Sequence, residues 1–511
     1  MSAFFILRPL QIKTQVETDL LIIGGGINGT GIARDAAGRG LSVVLVEQGD
    51  LAAGTSSASS KLVHGGLRYL EQLQFSLVAE ALGEREVLLR TAPHLVRPLR
   101  FVMPHAPDVR PAWMIRSGLL LYDWLARRDT LPRSNEVNLL EVPYASALQP
   151  RYTRGYAYSD CWVDDARLVI ANARAAADLG ARILPRTMCF AARRHASRWR
   201  VRLKSAAGES EVSARALVNA AGPWAERVLT EALQQPAKRL LRLVQGSHIV
   251  VPSLYRGEHA YIVQNDDRRV IFVCPYEGDY TLIGTTEIDV EGGEIGCQVS
   301  PAEVDYLCRA ANGYFARQVR PSDVVWSYCG VRALVDDGGA NASRVSREYL
   351  LRLDGNVPAA PLLSVLGGKI TTYRRLAERA LEKLAPWFRG MAKPWTAGVA
   401  LAGGELPTGA ERYVDDLTTR YPKLPRALLR ALTRRHGSRV PAVLTTSRSV
   451  VELGEHYGAD LYAREVDYFI EQEWARKAED VLWRRTKMGL RLSPEQQGKL
   501  RAYMARRSMP L

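Results

Sequence analysis

The sequence predicts a mixed α/β protein in three successive regions: a βαβ opening, a covering α+β layer and a helical C-terminal part. The first observation is "DLLIIGGGINGTGIARDAAGRGLSVVLVE", which places an apolar strand, a glycine turn, a helix and a second strand in one short stretch. The second is a set of short apolar runs further on, "SHIVVP", "RVIFVCP" and "YTLIGTTE", set among helical stretches. The third is the C-terminal part, where "VDYFIEQEWARKAEDVLWRRTKMGL" carries apolar residues at helical spacing. "PLLSVLGGKITTYRRLAERALEKL" again reads as strand, glycine turn and helix, so the opening domain regains a piece late in the chain. The resulting boundaries are residues 18–95 for the first part of the opening domain, with later pieces near 155–235 and 348–393; residues 96–347 mainly for the covering region; and residues 394–511 for a helical cap.

The composition is that of an ordinary globular chain. Its 511 residues have room for about two to four domains. The net charge of +15 suits an anionic ligand or surface, but arginine is spread along the whole length and no nucleic-acid module appears, so nucleic-acid binding is not expected. Six cysteines without a CxxC pair point to reduced thiols rather than a disulfide framework. The N-terminal "MSAFFILRPLQIKTQ" lacks a basic leader and a small-residue cleavage site, so no secretory signal is expected, and no apolar run is long enough to span a bilayer. No histidine–carboxylate cluster has metal-ligand spacing, so no metal is expected.

Gly24-x-Gly26-x-x-Gly29 follows the first strand and opens the first helix. In such a motif the first glycine makes the tight turn, the second lets backbone approach a pyrophosphate, and the third allows close helix–strand packing. Ile27 and Asn28 then lie at a helix N-terminus, whose unpaired N–H groups attract phosphate. Glu47 ends the second strand where an acid can hydrogen-bond a ribose. NAD and FAD share this element. Two later turns, Gly222-Pro223-Trp224 and Gly367-Gly368-Lys369 with Thr371 behind it, add close backbone approaches. Together with the serine-rich stretch "SSASSKLVHGGLRYLE" (residues 56–71) they suit an extended FAD.

The motifs "IIGGGINGTGIARDAAGRGLSV", "TSSASSKLVHGGLRYLE", "YSDCWVDDARLV", "GSHIVVP", "IGTTE", "GVRALVDD" and "GGKITTYRRLAE" occur in an order that resembles the FAD-dependent aerobic (respiratory) glycerol-3-phosphate dehydrogenases of bacteria, from about Thr18 to about Met504. The resemblance implies a glutathione-reductase-like FAD domain, an antiparallel-sheet substrate domain and a C-terminal helical cap. It implies oxidation of glycerol 3-phosphate to dihydroxyacetone phosphate, with electrons passed through FAD to ubiquinone. It places Thr55, Ser56, Ser57, Ser60 and Lys61 along the cofactor, and His64, Arg68 and Tyr69 toward substrate. His248, Thr285 and Arg332 join the substrate set. Two positions depart from the family pattern: Gln245 stands where lysine is frequent, and Glu287 where aspartate is usual.

Oxidising a secondary alcohol needs a base for the hydroxyl proton. His64 is the side chain of the loop suited to that at neutral pH, with a structural histidine as the competing reading and His248 as the rival base. A phosphate dianion needs fixed cations, for which Arg332 and Arg68 come first and Lys369 next. Asp164 and Asp165 read as helix caps rather than a catalytic pair. In "RPAWMIRSGLLLYDWLARR", Arg116, Asp123 and Arg127 share a helix face, with Trp113, Leu120, Leu121 and Trp124 beside it. With a quinone acceptor this suggests peripheral attachment to an anionic membrane surface, at the cytoplasmic face of the inner membrane. A homodimer is compatible with the sequence. The alternatives are a related FAD-dependent oxidase using oxygen, on a glycerol-phosphate or an amine or amino-acid substrate, a flavin-bearing RNA-binding protein, and a non-catalytic dinucleotide-binding regulator.

Overall fold

The computed structural model describes residues 16–105, 111–126, 130–236, 240–265, 267, 269–290, 297–336 and 348–508. The N-terminal segment, Arg127 and Arg128 lie outside the described residues.

Two sheets organise the chain. The first has a parallel centre in the order Leu362–Leu366, Gly208–Asn219, Val16–Ile23, Val43–Glu47 and Arg182–Pro185. Its central strands are apolar on both faces, Leu20 to Ile22 being fully buried, as a sheet covered on two sides requires. Three helices pack beside it: Ile27–Gly38, Asp165–Asp178 and Tyr373–Leu384. The contact is close because small residues face it. A Cβ on Gly31 would lie 2.7 Å from the ring of Tyr373. Strands far apart in sequence therefore build one sheet, and the late piece at residues 362–384 belongs to it.

Among the described residues the second sheet has ten strands, including Val96–His105, Arg154–Val163, Leu241–Pro252, Val270–Tyr276, Tyr280–Gly284 and Trp326–Val335. Its pairings are antiparallel except one: Ala260 and Tyr261 run parallel to Phe101 and Val102. Leu241–Pro252 pairs with Trp326–Val335 along its length, setting Val244 opposite Arg332 and His248 opposite Tyr328.

The C-terminal helices form their own core around Leu429, Tyr457, Phe469 and Val481. The long amphipathic run expected there is broken. Its helix spans Ala463–Gln472, Trp474 takes a left-handed conformation, and the Asp480 carboxylate caps the N–H groups of Arg476 and Lys477 before a new turn begins. Buried ion pairs fasten this region to the first domain. Asp50 accepts from Arg484 Nε at 2.6 Å and Arg485 Nη2 at 2.9 Å, and Glu473 accepts from Arg167 Nη2 at 2.9 Å. The cysteine expectation is corrected at one place. Cys297 and Cys329 form a disulfide, their Cα atoms 5.8 Å apart, because folding brings the chain after residue 296 beside the strand Trp326–Val335. Cys161, Cys189, Cys274 and Cys308 are free and buried.

The serine-rich loop lies at the seam between the sheets, held from behind by a buried ion pair. Lys61 Nζ lies 2.9 Å from Asp165 Oδ1, both side chains fully buried, and donates also to the Ser57 carbonyl at 3.1 Å. Asp165 Oδ2 accepts from Ser59 Oγ at 2.7 Å and from the Ser59 N–H at 3.1 Å. Burial pushes the Lys61 ammonium pKa down, and Asp165 opposes that shift. Asp164 caps the following helix by accepting from the Arg167 N–H, so only one of the two aspartates is a simple cap. Removing one partner of such a pair leaves a charge uncompensated. Asp165→Ala is expected to destabilise the protein by about 3–5 kcal/mol, read as a lowered denaturant midpoint. An unchanged midpoint would mean that the pair does not hold the loop.

Candidate functional site

A cavity of about 600 Å³ runs between the two sheets. At one end is the glycine turn. Gly24 has φ +115°, and a Cβ there would strike the Ala220 carbonyl at 2.5 Å. Gly24, Gly26, Ile27 and Asn28 line the cavity, whereas Gly29 does not. A Cβ on Gly29 would lie 1.9 Å from the Gly24 carbonyl oxygen, so that glycine serves packing. Glu47 also lines the cavity. Its carboxylate accepts the N–H groups of Gly25 and Gly49, each at 2.7 Å, and so braces the turn. Burial raises its pKa, and these two hydrogen bonds oppose the rise.

The seam loop forms one wall. Thr55 Oγ1 donates to the Val331 carbonyl at 2.5 Å, tying the loop to the second sheet. Ser56 Oγ accepts the Ile27 N–H at 3.0 Å, tying it to the first helix. Ser60 Oγ lies 2.9 Å from His248 Nε2. Thr55, Ser56 and Ser60 line the cavity; Ser57 and Lys61, expected along the cofactor, do not. Lys61 instead points to Asp165 and Ser57 offers its carbonyl to Lys61, which makes both of them supports for the wall.

His64, Tyr69, His248, Arg332, Gly368, Lys369 and Thr371 also line the cavity, as do Gly222 and Trp224. The His64 N–H donates to Thr371 Oγ1 at 3.3 Å, and its ring meets Phe272 edge-on at 5.9 Å. Lys369 Nζ sits 4.2 Å from the centre of the Tyr69 ring, in cation–π geometry. Arg332 is held at two points: Nη1 donates to Glu287 Oε1 and Nη2 to Thr285 Oγ1, both at 3.1 Å. Thr285 and Arg68 lie outside the lining, so Thr285 reaches the site through Arg332. His248 stacks on Tyr328 with ring centres 4.8 Å apart. Burial, then Arg332 and Lys61, push its pKa well below the usual imidazole range, so it is neutral at physiological pH.

Strand alternation explains the Gln245 departure. Gly246 and His248 face the cavity, while Gln245 and Ser247 face Glu303 on the other side. Gln245 Nε2 donates to Glu303 Oε2 at 3.2 Å and Ser247 Oγ to Oε1 at 2.7 Å, so a cation at position 245 would not face the cavity. Sequence reading missed the roles of Asp165, Tyr328 and Glu287 as supports. Their partners lie 104, 269 and 45 residues away, so no local motif signals them. Among the described residues no group of His, Cys, Asp and Glu could hold a metal.

The cavity is shaped for an extended dinucleotide. A Cβ on Gly26 would meet only Ser56 Oγ, and one on Gly222 would meet nothing within 4 Å. Asn28 Oδ1 is a buried acceptor without a protein partner. These open backbone approaches accompany a helix N-terminus and a serine-lined wall. The family model for FAD dependent oxidoreductases matches residues 19–374, and that for the C-terminal domain of alpha-glycerophosphate oxidase matches residues 394–501. A glycerol-3-phosphate dehydrogenase of Pseudomonas aeruginosa is 51% identical, covering 95% of this chain and 94% of that one. A D-erythritol 1-phosphate dehydrogenase of Brucella abortus is 50% identical, covering 93% and 95%. The crystal structure of the Bacillus halodurans glycerol-3-phosphate dehydrogenase complexed with FAD aligns with a TM-score of 0.73 and 26% identity, covering 96% of this chain and 94% of that one. The fold is therefore an FAD-binding α/β domain with a C-terminal helical domain, and FAD is the cofactor that the cavity fits. With family matches over residues 19–374 and 394–501 and a relative 51% identical over 95% of its length, the chain belongs to the FAD-dependent glycerol-3-phosphate dehydrogenases.

Proposed function

We propose that this enzyme oxidises sn-glycerol 3-phosphate to dihydroxyacetone phosphate and delivers the electrons to a membrane quinone. The observation that carries the reading is that Arg332, Lys369 and His64 line the same cavity as the serine wall and the glycine turn. When bound, FAD supplies the hydride acceptor and the electron store. Arg332, fixed by Glu287 and Thr285, orients the phosphate dianion, and Lys369 adds a second cation. His64 takes the proton of the substrate hydroxyl. Neutral His248 is the weaker base and serves to hold Ser60. The Brucella relative motivates a second reading, a longer polyol phosphate at the same site. Comparing kcat/KM for glycerol 3-phosphate and D-erythritol 1-phosphate separates the two. Peroxide release in place of quinone reduction would favour an oxidase.

The membrane contact is assigned to the helix Ala112–Trp124, which buries Leu119 and Tyr122 and leaves Trp113, Leu120 and Trp124 at 68%, 60% and 83% exposure. Those three lie at helical spacing on one stripe. The polar part of the helix is engaged by the protein: Arg116 pairs with Glu136 at 3.0 Å, and Asp123 accepts the Ser134 N–H at 2.8 Å. Among the described residues no helix is long and apolar enough to cross a membrane. The stripe therefore supports a peripheral, interfacial membrane contact.

Three outcomes follow. Gly26→Val should purify without yellow colour, because its side chain occupies the space next to Ser56 where the pyrophosphate approaches; a full flavin complement would contradict that placement. Arg332→Ala should lose about 2–5 kcal/mol in kcat/KM for glycerol 3-phosphate with little change for glycerol, and Arg332→Lys should recover part of it. Equal losses on both substrates would assign Arg332 to the fold or the flavin. Replacing Trp113, Leu120 and Trp124 together with Ser should abolish cosedimentation with anionic vesicles while leaving reduction by substrate intact; unchanged cosedimentation would move the membrane surface elsewhere.

A further inference from the structure

Behind the His64 loop lies a buried polar cluster that the mechanism above does not use. The Gly65 N–H donates to Tyr122 Oη at 2.9 Å and, over a longer reach, to Asp160 Oδ1 at 3.4 Å, so the hydroxyl is its nearer acceptor. Tyr122 Oη donates in turn to the Asp160 carboxylate, lying 2.8 Å from Oδ1 and 2.7 Å from Oδ2. Arg85 Nη1 bonds Asp160 Oδ1 at 2.8 Å and the Ser159 carbonyl at 2.9 Å, while its Nη2 bonds Glu86 at 2.9 Å. Tyr122 and Arg85 are fully buried and Asp160 is 1% exposed. Three elements thus converge on one backbone amide: the helix Phe75–Thr91 through Arg85, the helix Ala112–Trp124 through Tyr122, and the strand Arg154–Val163 through Asp160.

The fit around that amide is tight. A Cβ on Gly65 would lie 2.6 Å from both Leu82 Cδ2 and Tyr122 Oη. Gly66 follows at φ +78°, in the left-handed region, and a Cβ there would strike the Tyr69 ring at 2.3 Å. His64 is therefore gripped on both sides, its own N–H on Thr371 Oγ1 and the next N–H on Tyr122 Oη. Burial and the neighbouring Asp160 raise the Tyr122 pKa well above its ordinary value, so the hydroxyl stays protonated and keeps donating to Asp160.

We propose that Tyr122 is a positioning residue for the oxidation step: its hydroxyl, fixed by Asp160 and Arg85, holds the Gly65 amide and so sets where His64 meets the substrate hydroxyl. This rests on the reading that His64 takes the substrate proton. Such a residue acts on the rate of chemistry and not on phosphate binding, because Arg332 is held by Glu287 and Thr285 on other elements.

The test is anaerobic stopped-flow reduction of the bound flavin by glycerol 3-phosphate in the FAD-loaded enzyme. Tyr122→Phe keeps the ring in its packing and removes only the hydroxyl. It should lower the limiting reduction rate about tenfold and leave the apparent Kd for substrate within about twofold. Leu119→Ala, on the same buried face, is the structural control: it should lower Tm while keeping the wild-type rate. Should Tyr122→Phe give no holoenzyme, Asp160→Asn keeps the ring, weakens both acceptors of the Gly65 amide together and carries the same expectation. A wild-type limiting rate in the hydroxyl-deficient enzyme, or an equal fall in Leu119→Ala, overturns the proposal. His64→Gln distinguishes the two levels. A slow His64→Gln beside a normal Tyr122→Phe removes Tyr122 alone, whereas a near-normal His64→Gln removes the reading of His64 on which it rests.

Discussion

The Lys61–Asp165 pair is the interaction on which the site depends, because it lets a polar loop cross the seam between two sheets without collapsing into the cavity. A lysine with its side chain fully buried is costly unless paired and hydrogen-bonded, and here the ammonium meets a carboxylate and a backbone carbonyl together. Lys61 also has φ +58°, a conformation that a residue with a side chain adopts only when its surroundings impose it. With the lysine turned back, Ser56 and Ser60 are left on the cavity side, one bonded to the first helix and the other to His248. The loop is anchored to both sheets and runs into the second as its edge strand Leu62–Val63, which pairs with Trp162 and Cys161.

Each sheet then supplies a different function to one cavity. The parallel sheet ends in the turns around Gly24, Gly222 and Gly368, all three of which line the cavity. The second sheet supplies the groups to which we assign substrate discrimination. Its strand Leu241–Pro252 sends Gly246 and His248 inward and Gln245 and Ser247 outward, and the facing strand places Arg332 over Gly246. A Cβ on Gly246 would lie 2.6 Å from Arg332 Nη2, so the guanidinium rests against bare backbone, with Thr285 and Glu287 fixing its remaining freedom. The helix Ala112–Trp124 joins these levels physically, since one face packs on the His64 loop through Tyr122 and the other displays Trp113 and Trp124 to solvent.

What could be read in the sequence was whatever is written locally. The glycine motif, the strand–turn–helix of residues 362–384 and the apolar strands follow from short-range pattern, and they appear where pattern put them. The serine-rich loop could be recognised as a site, but not which of its residues face inward. Lys61 and Ser57 look like cofactor contacts until Asp165, 104 residues away, is seen to claim the lysine. The long C-terminal helix failed for the same reason. Periodicity continues through residues 466–490, while Asp480 and a left-handed Trp474 break the backbone, and the break docks Arg484 and Arg485 on Asp50. The disulfide joins cysteines whose spacing has no motif. Tertiary partners decide side-chain direction, and one chain read alone does not contain them.

The most direct measurement is the flavin absorbance of the wild-type holoenzyme when it is mixed anaerobically with glycerol 3-phosphate or with glycerol at equal concentration. If the cavity oxidises a phosphorylated alcohol held by Arg332 over the cofactor, the visible band should bleach rapidly with glycerol 3-phosphate and hardly at all with glycerol. A band that stays oxidised with the phosphate, or bleaches equally with both compounds, would contradict the account.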